Sequence, residues 1–180
     1  QLAKMQTDPD KLGSMLDDLG TDVTETIEEM RELAHGIYPP LLRDAGLGDA
    51  LKRAAERSSI PVIPDISLDR RFDPTIEAAV YFCCLEAMQN AAKHAGPTAE
   101  VVLSVSESDG ILRFEVADDG AGFDATSVGG SHGFVNMADR LGAHDGTLGV
   151  ESTPGAGTTI RGEVPVGQDA VGASDDAPQP

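Results

Sequence analysis

Four short stretches of this sequence group residue types suited to phosphate and its counter-cation. The first lies within a run of helix-forming residues. Asn90, Lys93 and His94 follow Glu86 by 4, 7 and 8 positions, which at 100° per residue returns all four to one narrow arc of a helix. Carboxylate and amide oxygens are the hard ligands that magnesium prefers, and magnesium keeps several of its waters. An ammonium and an imidazole alongside would offer donors to phosphate oxygens. A solvated helix face would carry the same residue types, so the pattern alone leaves both readings open.

The second stretch, Asp118-Asp119-Gly120-Ala121-Gly122, follows a strand-like run. An Asp at a strand end can accept a hydrogen bond from an exocyclic amine, and the glycines allow a close backbone approach. Plain turns use the same residues. The third, Gly129-Gly130-Ser131-His132-Gly133-Phe134, runs into a helix carrying Asn136, Met137 and Arg140, and a helix N-terminus can present N–H groups to phosphates. The fourth, Gly155-Ala156-Gly157-Thr158, reads as a tight turn between strands and needs no ligand to explain it.

The elements that position these stretches follow from periodicity and punctuation. Leu12, Leu16, Leu19, Val23, Thr26, Met30, Leu33 and Ile37 step alternately by four and three, predicting one long helix from about Pro9 to Ile37 with a narrow heptad seam. Such a seam suits a bundle or a dimer, although packing within one chain stays open. Pro39-Pro40 ends that helix, and a short amphipathic helix is predicted at roughly Leu47–Arg57. Pro61–Ile66 is expected as an edge strand with its prolines at the margins. Asp73-Pro74 reads as an N-cap and first turn opening a helix through His94, which stops at Gly96-Pro97. Its residues Ile76, Val80, Cys83, Ala87 and Ala91 form a stripe expected to face a sheet. Strands at Glu100–Ser106 and Ile111–Ala117 flank a turn at Ser108-Asp109-Gly110. A helix near Phe134–Leu141 and strands near Thr147–Ser152 and Thr158–Val164 complete the set. Helices combined with meandering strands predict a two-layer α/β sandwich, a mixed sheet covered on one face.

Composition narrows the function classes. Thirteen Lys and Arg against 31 Asp and Glu give a net charge of −18, which argues against non-specific nucleic-acid binding. It also means that a polyphosphate would need a divalent cation and local N–H groups to overcome a repulsive field. The only two cysteines, Cys83 and Cys84, are neighbours, with no zinc-type spacing, and fit a reducing, cytoplasmic setting. No run is long and apolar enough to cross a bilayer, so no membrane contact is expected of this chain. The chain begins with Gln1 and reads as a piece of a longer protein, whose remainder could reach a membrane.

In order and spacing, the four stretches resemble the N, G1, G2 and G3 boxes of the GHKL superfamily of ATPases and kinases. Glu86-Ala87-Met88-Gln89-Asn90-Ala91-Ala92-Lys93-His94-Ala95 is very similar to the N box of sensor histidine kinases, and its Lys-His ending is similar to the branch related to nitrate and membrane-fluidity sensors. Arg31 to Leu42, followed by Ala45-Gly46-Leu47 to Leu51, resembles that branch's junction between dimerisation helix and ATPase domain. The resemblance covers about residues 8 to 165. It implies a Bergerat-type ATP-binding sandwich preceded by a long helix, with residues 1–38 as the remaining dimerisation helix. Residues 39–59 would be a linker with a short helix, 60–166 the ATP-binding domain and 167–180 a disordered tail.

The same resemblance implies ATP and Mg2+ as ligands. Asn90 would hold the metal, with Glu86 assisting through water or as a base. Lys93 and His94 would meet phosphates or ribose, and Asp118 the adenine amino group. Gly120 and Gly122 would shape the wall, Gly133 and Gly157 would lie in the G2 and G3 boxes, and Thr158 would close the adenine side. The segment from about Ala121 to Val135 would cover the nucleotide. A response regulator and a homodimer of the parent protein are the implied partners. This chain departs from the pattern at Ser131-His132-Gly133, where Gly-x-Gly is frequent. The phosphorylated His expected of such kinases, followed by an acidic residue on a dimerisation helix, is not among His35, His94, His132 and His144, so the acceptor is expected outside this chain. A GHKL ATP hydrolase and a nucleotide-binding pseudo-kinase are the rival readings.

Overall fold

The computed structural model describes residues 40–124 and 132–167. The expected long helix at 9–37, the tail beyond 167 and residues 125–131 of the Gly-rich segment lie outside these. Four helices and five strands are described: α1 (Pro40–Ala45), α2 (Leu47–Glu56), β1 (Val62–Ser67), α3 (Pro74–His94), β2 (Val101–Ser108), β3 (Ile111–Asp118), α4 (His132–Gly142), β4 (Thr147–Ser152) and β5 (Thr158–Pro165).

The strands form one sheet in the order β1-β2-β3-β5-β4. β1 runs parallel to β2, reached through α3, and every other pair is antiparallel. This is the mixed sheet with helices on one face that the sequence implies. Alternation fixes the register. Val101, Leu103 and Val105 of β2, Leu112, Phe114 and Val116 of β3, and Ile160 and Val164 of β5 are buried on the helix side. The opposite face carries charge: Arg161 reaches both Glu115 and Glu151 across the strands, and Arg113 pairs with Glu163. A shift of one residue would exchange the two faces, so the apolar set specifies the pairing.

Local chemistry accounts for the ends of the elements. Asp73 caps α3, its carboxylate accepting from the Thr75 N–H at 2.8 Å, and Pro74 supplies the first turn. The β2–β3 connection is a two-residue turn in which Asp109 and Gly110 both have positive φ, 56° and 72°, the conformation whose twist matches a right-handed hairpin. At the centre of the sheet Phe114 stands opposite Gly162. The ring occupies the space a side chain at 162 would need: a Cβ there would run into the ring edge and come within 2.9 Å of Leu141 Cδ1.

Three features differ from the sequence expectation. Pro40 opens helix α1, where the first turn has no use for the N–H that a proline lacks. Pro64 sits inside β1 instead of at its margin, which an edge strand tolerates because one row of its N–H groups has no ladder partner. Finally, α3 is buried on more than the expected stripe. Glu77, Ala79, Tyr81, Cys84 and Met88 are buried along with Val80, Cys83, Ala87 and Ala91, since α3 packs on α2 and α4 as well as on the sheet.

Candidate functional site

A cavity of about 440 Å³ opens between α3, the ends of β3 and β5, and the start of α4. Its lining brings together Asn90 and His94 from α3, Asp118 from the end of β3, Gly122 from the loop that follows, and Thr158 from the start of β5. These come from three of the four stretches singled out in the sequence. Apolar walls are supplied by Ala87, Ala91, Phe123, Phe134 and Ile160. A concave, mostly apolar site with a few convergent polar groups is the usual form of a small-molecule pocket.

The floor is made by backbone segments that approach too closely for side chains. Gly122 has φ +57°, and a Cβ on it would run into the Thr153 carbonyl. Gly157 has φ +80°, and a Cβ there would collide with the carbonyl of Asp118. Gly120 presses on the C-terminal end of α3 at Ala95 in the same way. Hydrogen bonds lace these segments together: Ala121 N–H donates to the Ala95 carbonyl at 2.9 Å, and Gly155 N–H to the Ala121 carbonyl at 2.6 Å. Gly120 and Gly157 shape the cavity from behind without lining it.

One Asp118 oxygen accepts from the Gly120 N–H at 3.0 Å, which fixes the carboxylate at the strand end. Its neighbour Asp119 turns away and accepts from the Glu100 N–H at 2.8 Å, tying the loop to the start of β2. The two adjacent acids therefore divide into one cavity residue and one structural anchor. Glu86 lies beside the cavity, where a Cβ on Gly133 would be 3.2 Å from its Oε1 and 3.8 Å from Asn90 Nδ2. Gly133 thus brings the first turn of α4 against the Glu86–Asn90 face of α3. Lys93 is exposed and does not line the cavity. Of the third stretch, Gly133 and Phe134 are described; Gly129, Gly130 and Ser131 lie outside the described residues.

Sequence reasoning missed Phe123 and Ser152, and it gave no role to Phe134, the last residue of the third stretch. Phe123 and Phe134 stack with ring centroids 6.0 Å apart, closing one side of the cavity; two of the five phenylalanines in a chain without tryptophan, one on each side of a Gly-rich run, were the available signal. Ser152, an unremarked residue at the end of β4, bonds three partners at the cavity edge. Below the site, Cys83 packs its thiol against the Met137 carbonyl at 3.7 Å. Burial pushes that thiol up to about 12, only partly opposed by the charge of Arg140, so it is poorly nucleophilic.

A family model described as histidine kinase-, DNA gyrase B- and HSP90-like ATPase matches residues 75–168, just over half of the 180. The chain belongs to this ATPase family. The matched span starts in the first turn of α3 and ends just after β5, so it contains every element that lines the cavity. Among curated relatives, the chain is 32% identical over 174 residues to the sensor histidine kinase MctS of Rhizobium johnstonii, covering 90% of this chain and 37% of the relative. It is 29% identical over 175 residues to an uncharacterized sensor-like histidine kinase of Chloroflexus aurantiacus, covering 90% of this chain and 29% of that protein. The chain therefore spans about a third of the length of these relatives. Among solved structures, the blue-light activated histidine kinase of Erythrobacter litoralis EL346 superposes with a TM-score of 0.60 at 24% identity, covering 68% of this chain and 42% of that one. At that identity the likeness is one of fold, and it is the same α/β sandwich.

The donor set fits the ligand this ATPase family takes. The described residues hold no cluster of three His, Cys, Asp or Glu side chains able to bind a metal alone. A magnesium nucleotide does not require one, because the cation is shared between one or two protein oxygens, waters and the phosphates themselves. Among the described residues no helix is long and apolar enough to cross a membrane.

Proposed function

We propose that this chain is the ATP-binding catalytic portion of a two-component sensor histidine kinase. The parent protein would pass the γ-phosphoryl of ATP to a histidine outside residues 1–180, and then to an aspartate of a response regulator. The observation that carries the reading is the convergence of Asn90, His94, Asp118 and Thr158 on one cavity, within a family-matched domain whose curated relatives are sensor histidine kinases.

In this reading Asp118 and Thr158 receive the adenine, with Gly120, Gly122 and Gly157 giving the base room. Asn90 supplies a magnesium ligand, and Glu86, one helical turn away, orients a metal-bound water or accepts a proton. His94 and Lys93 at the C-terminal end of α3 provide donors to ribose or phosphate oxygens, and Gly133 lets the first turn of α4 approach. Magnesium, when bound, neutralises phosphate charge in a chain whose own field repels it. The protein's share of the chemistry is positioning and charge compensation, which suffices for phosphoryl transfer.

The finer assignments rest on sequence resemblance. The Lys93-His94 ending and the 31–51 junction favour the branch related to nitrate and membrane-fluidity sensors. The heptad positions from Leu12 to Ile37 favour a homodimer of the parent, and two free buried thiols favour a reducing cytoplasmic compartment. Domain limits at 1–38, 39–59, 60–166 and 167–180 belong to the same proposal.

Calorimetry with Mg-ATP tests the reading: Asn90→Ala is expected to weaken binding at least tenfold, and unchanged affinity would refute the site. Mixing the chain with a fragment supplying an acceptor histidine and labelled ATP tests the chemistry. Label on the histidine supports the kinase; rapid phosphate release by the chain alone would favour a hydrolase, and binding without transfer a pseudo-kinase.

A further inference from the structure

Ser152 has one hydroxyl hydrogen and three hydrogen-bonding neighbours. The Phe123 N–H lies at 2.9 Å, the Gly157 carbonyl oxygen at 3.0 Å and the Thr158 hydroxyl at 3.0 Å. Counting donors orders this cluster. The Phe123 N–H can only donate and the Gly157 carbonyl can only accept. The single Ser152 hydrogen is therefore given to Gly157, and its two lone pairs take the Phe123 N–H and the hydrogen of Thr158. Thr158 lines the cavity, and with its own hydrogen committed to Ser152 it can offer that cavity only lone pairs.

Asp118 is the register partner of Thr158 across β3 and β5. It lines the same cavity, and a carboxylate likewise presents acceptors only. Two neighbouring groups at one end of the pocket thus ask their ligand for hydrogens. A purine with an amino group at C6 has two to give. A purine with an oxo group there sets that oxygen against acceptors and keeps a single hydrogen, on N1, where the amino purine has two at C6; a buried polar mismatch of that kind discriminates more strongly than shape does.

We propose that Ser152 is a specificity-determining positioning residue: by taking the Thr158 hydrogen it makes the base subsite acceptor-only and selects 6-amino over 6-oxo purine nucleotides. The inference deepens the nucleotide-site reading and rests on it. Ser152 need not touch the base. It acts through Thr158, and it also holds the Phe123 backbone at the cavity rim.

That second contact supplies the alternative to be distinguished. If Ser152 only braced the Phe123 loop and the Gly157 turn, its loss would weaken all purine nucleotides alike. The test is calorimetric titration of Mg-ATP and Mg-ITP into the full chain and its variants, read as the ratio of the two affinities. The wild-type chain is expected to prefer ATP by about tenfold or more. Ser152→Ala frees the Thr158 hydrogen to face an oxo group, and the ratio is expected to fall at least about threefold. Ser152→Thr, which keeps the hydroxyl, restores it. Thr158→Val also lowers the ratio, and in that background Ser152→Ala no longer changes it. Should Ser152→Ala not fold, Thr158→Val and Ser152→Thr still decide: a Thr158→Val ratio equal to wild type overturns the proposal. A Ser152→Ala ratio equal to wild type, whatever the absolute affinities, overturns it as well while leaving the nucleotide site intact. Failure of the wild-type chain to bind either nucleotide removes both.

Discussion

The guanidinium of Arg71 forks onto the buried carboxylate of Glu77, with Nε at 2.8 Å from one oxygen and Nη2 at 2.9 Å from the other. The Phe72 N–H donates to the same carboxylate at 3.1 Å, and Nη2 also reaches the Leu42 carbonyl at 3.0 Å. One guanidinium therefore ties the first turn of α3 to α1.

Removing the cation should expose the weakness of that arrangement. Arg71→Met takes the guanidinium away from the Glu77 carboxylate, whose side chain is 1% exposed. The expected loss is about 2–3 kcal/mol, below the usual range for a broken buried pair because half of Arg71 is solvated. Urea denaturation measures it. The double change Arg71→Met, Glu77→Met is expected to be milder than Arg71→Met alone, since the buried carboxylate goes with the guanidinium.

Two glycines of one turn give a contrast in which φ is held nearly constant. Gly155 and Gly157 have φ of +79° and +80°, but a Cβ on Gly155 would meet nothing within 4 Å. Gly155→Ala is expected to cost about 1 kcal/mol, the ordinary left-handed penalty. Gly157→Ala adds the collision with Asp118, so roughly 1–3 kcal/mol more is expected, together with loss of nucleotide binding. Thermal melts with and without Mg-ATP separate the two.

The stacked pair Phe123–Phe134 is expected to contribute to nucleotide affinity through the wall it forms. Phe134→Ala should raise the dissociation constant about 2- to 10-fold, the range that an aromatic contact of this kind supports. Phe134→Leu should lie between, and calorimetry reads the series.

Stability should fall on the alkaline side. An unfolded thiol ionises near 9, whereas burial holds Cys83 protonated up to about 12 and raises Cys84 as well. Between those values the unfolded chain binds fewer protons than the folded one, so stability is fully present below pH 9 and declines as pH rises through the window. The melting temperature is expected to drop across pH 9–11. Replacing both cysteines with alanine should flatten that drop even though the neutral-pH stability is itself lowered.

Excess EDTA offers a check on the charge argument. With a net charge of −18 on the chain, ATP without its cation is expected to bind on the order of tenfold more weakly. Titrations in EDTA and in excess magnesium give the two affinities.

The sequence made legible those parts that local rules decide. Asp73-Pro74 announced α3, Asp109-Gly110 announced the hairpin, and the alternation of β2 and β3 set which face is buried. Asn90, His94, Asp118, Gly122 and Thr158, which line one cavity, stood out through the order and spacing of their stretches and the resemblance these carry, not through the chemistry of any one stretch. Glu77 was hidden because an acid in an apolar helix looks like a solvent-facing residue until Arg71, six positions away in the preceding loop, is brought to it. Ser152 was hidden for a related reason: a serine at a strand end is commonplace, and its meaning comes only from partners 5, 6 and 29 residues distant. Long-range pairing of ordinary residues leaves no local signature.

Phe114 and Gly162 illustrate what such pairing does to the permitted variation of a chain. Each residue is the complement of the other's volume, so neither position has a tolerance of its own. Gly162→Ala meets an aromatic ring, and Phe114→Leu leaves an empty niche, yet the two exchanges together trade one volume for the other. A drifting lineage would therefore cross from one combination to the other only through a less fit intermediate, and libraries randomised one site at a time would score both positions as fixed. Built as a pair, they become a single adjustable joint between the sheet and helix α4.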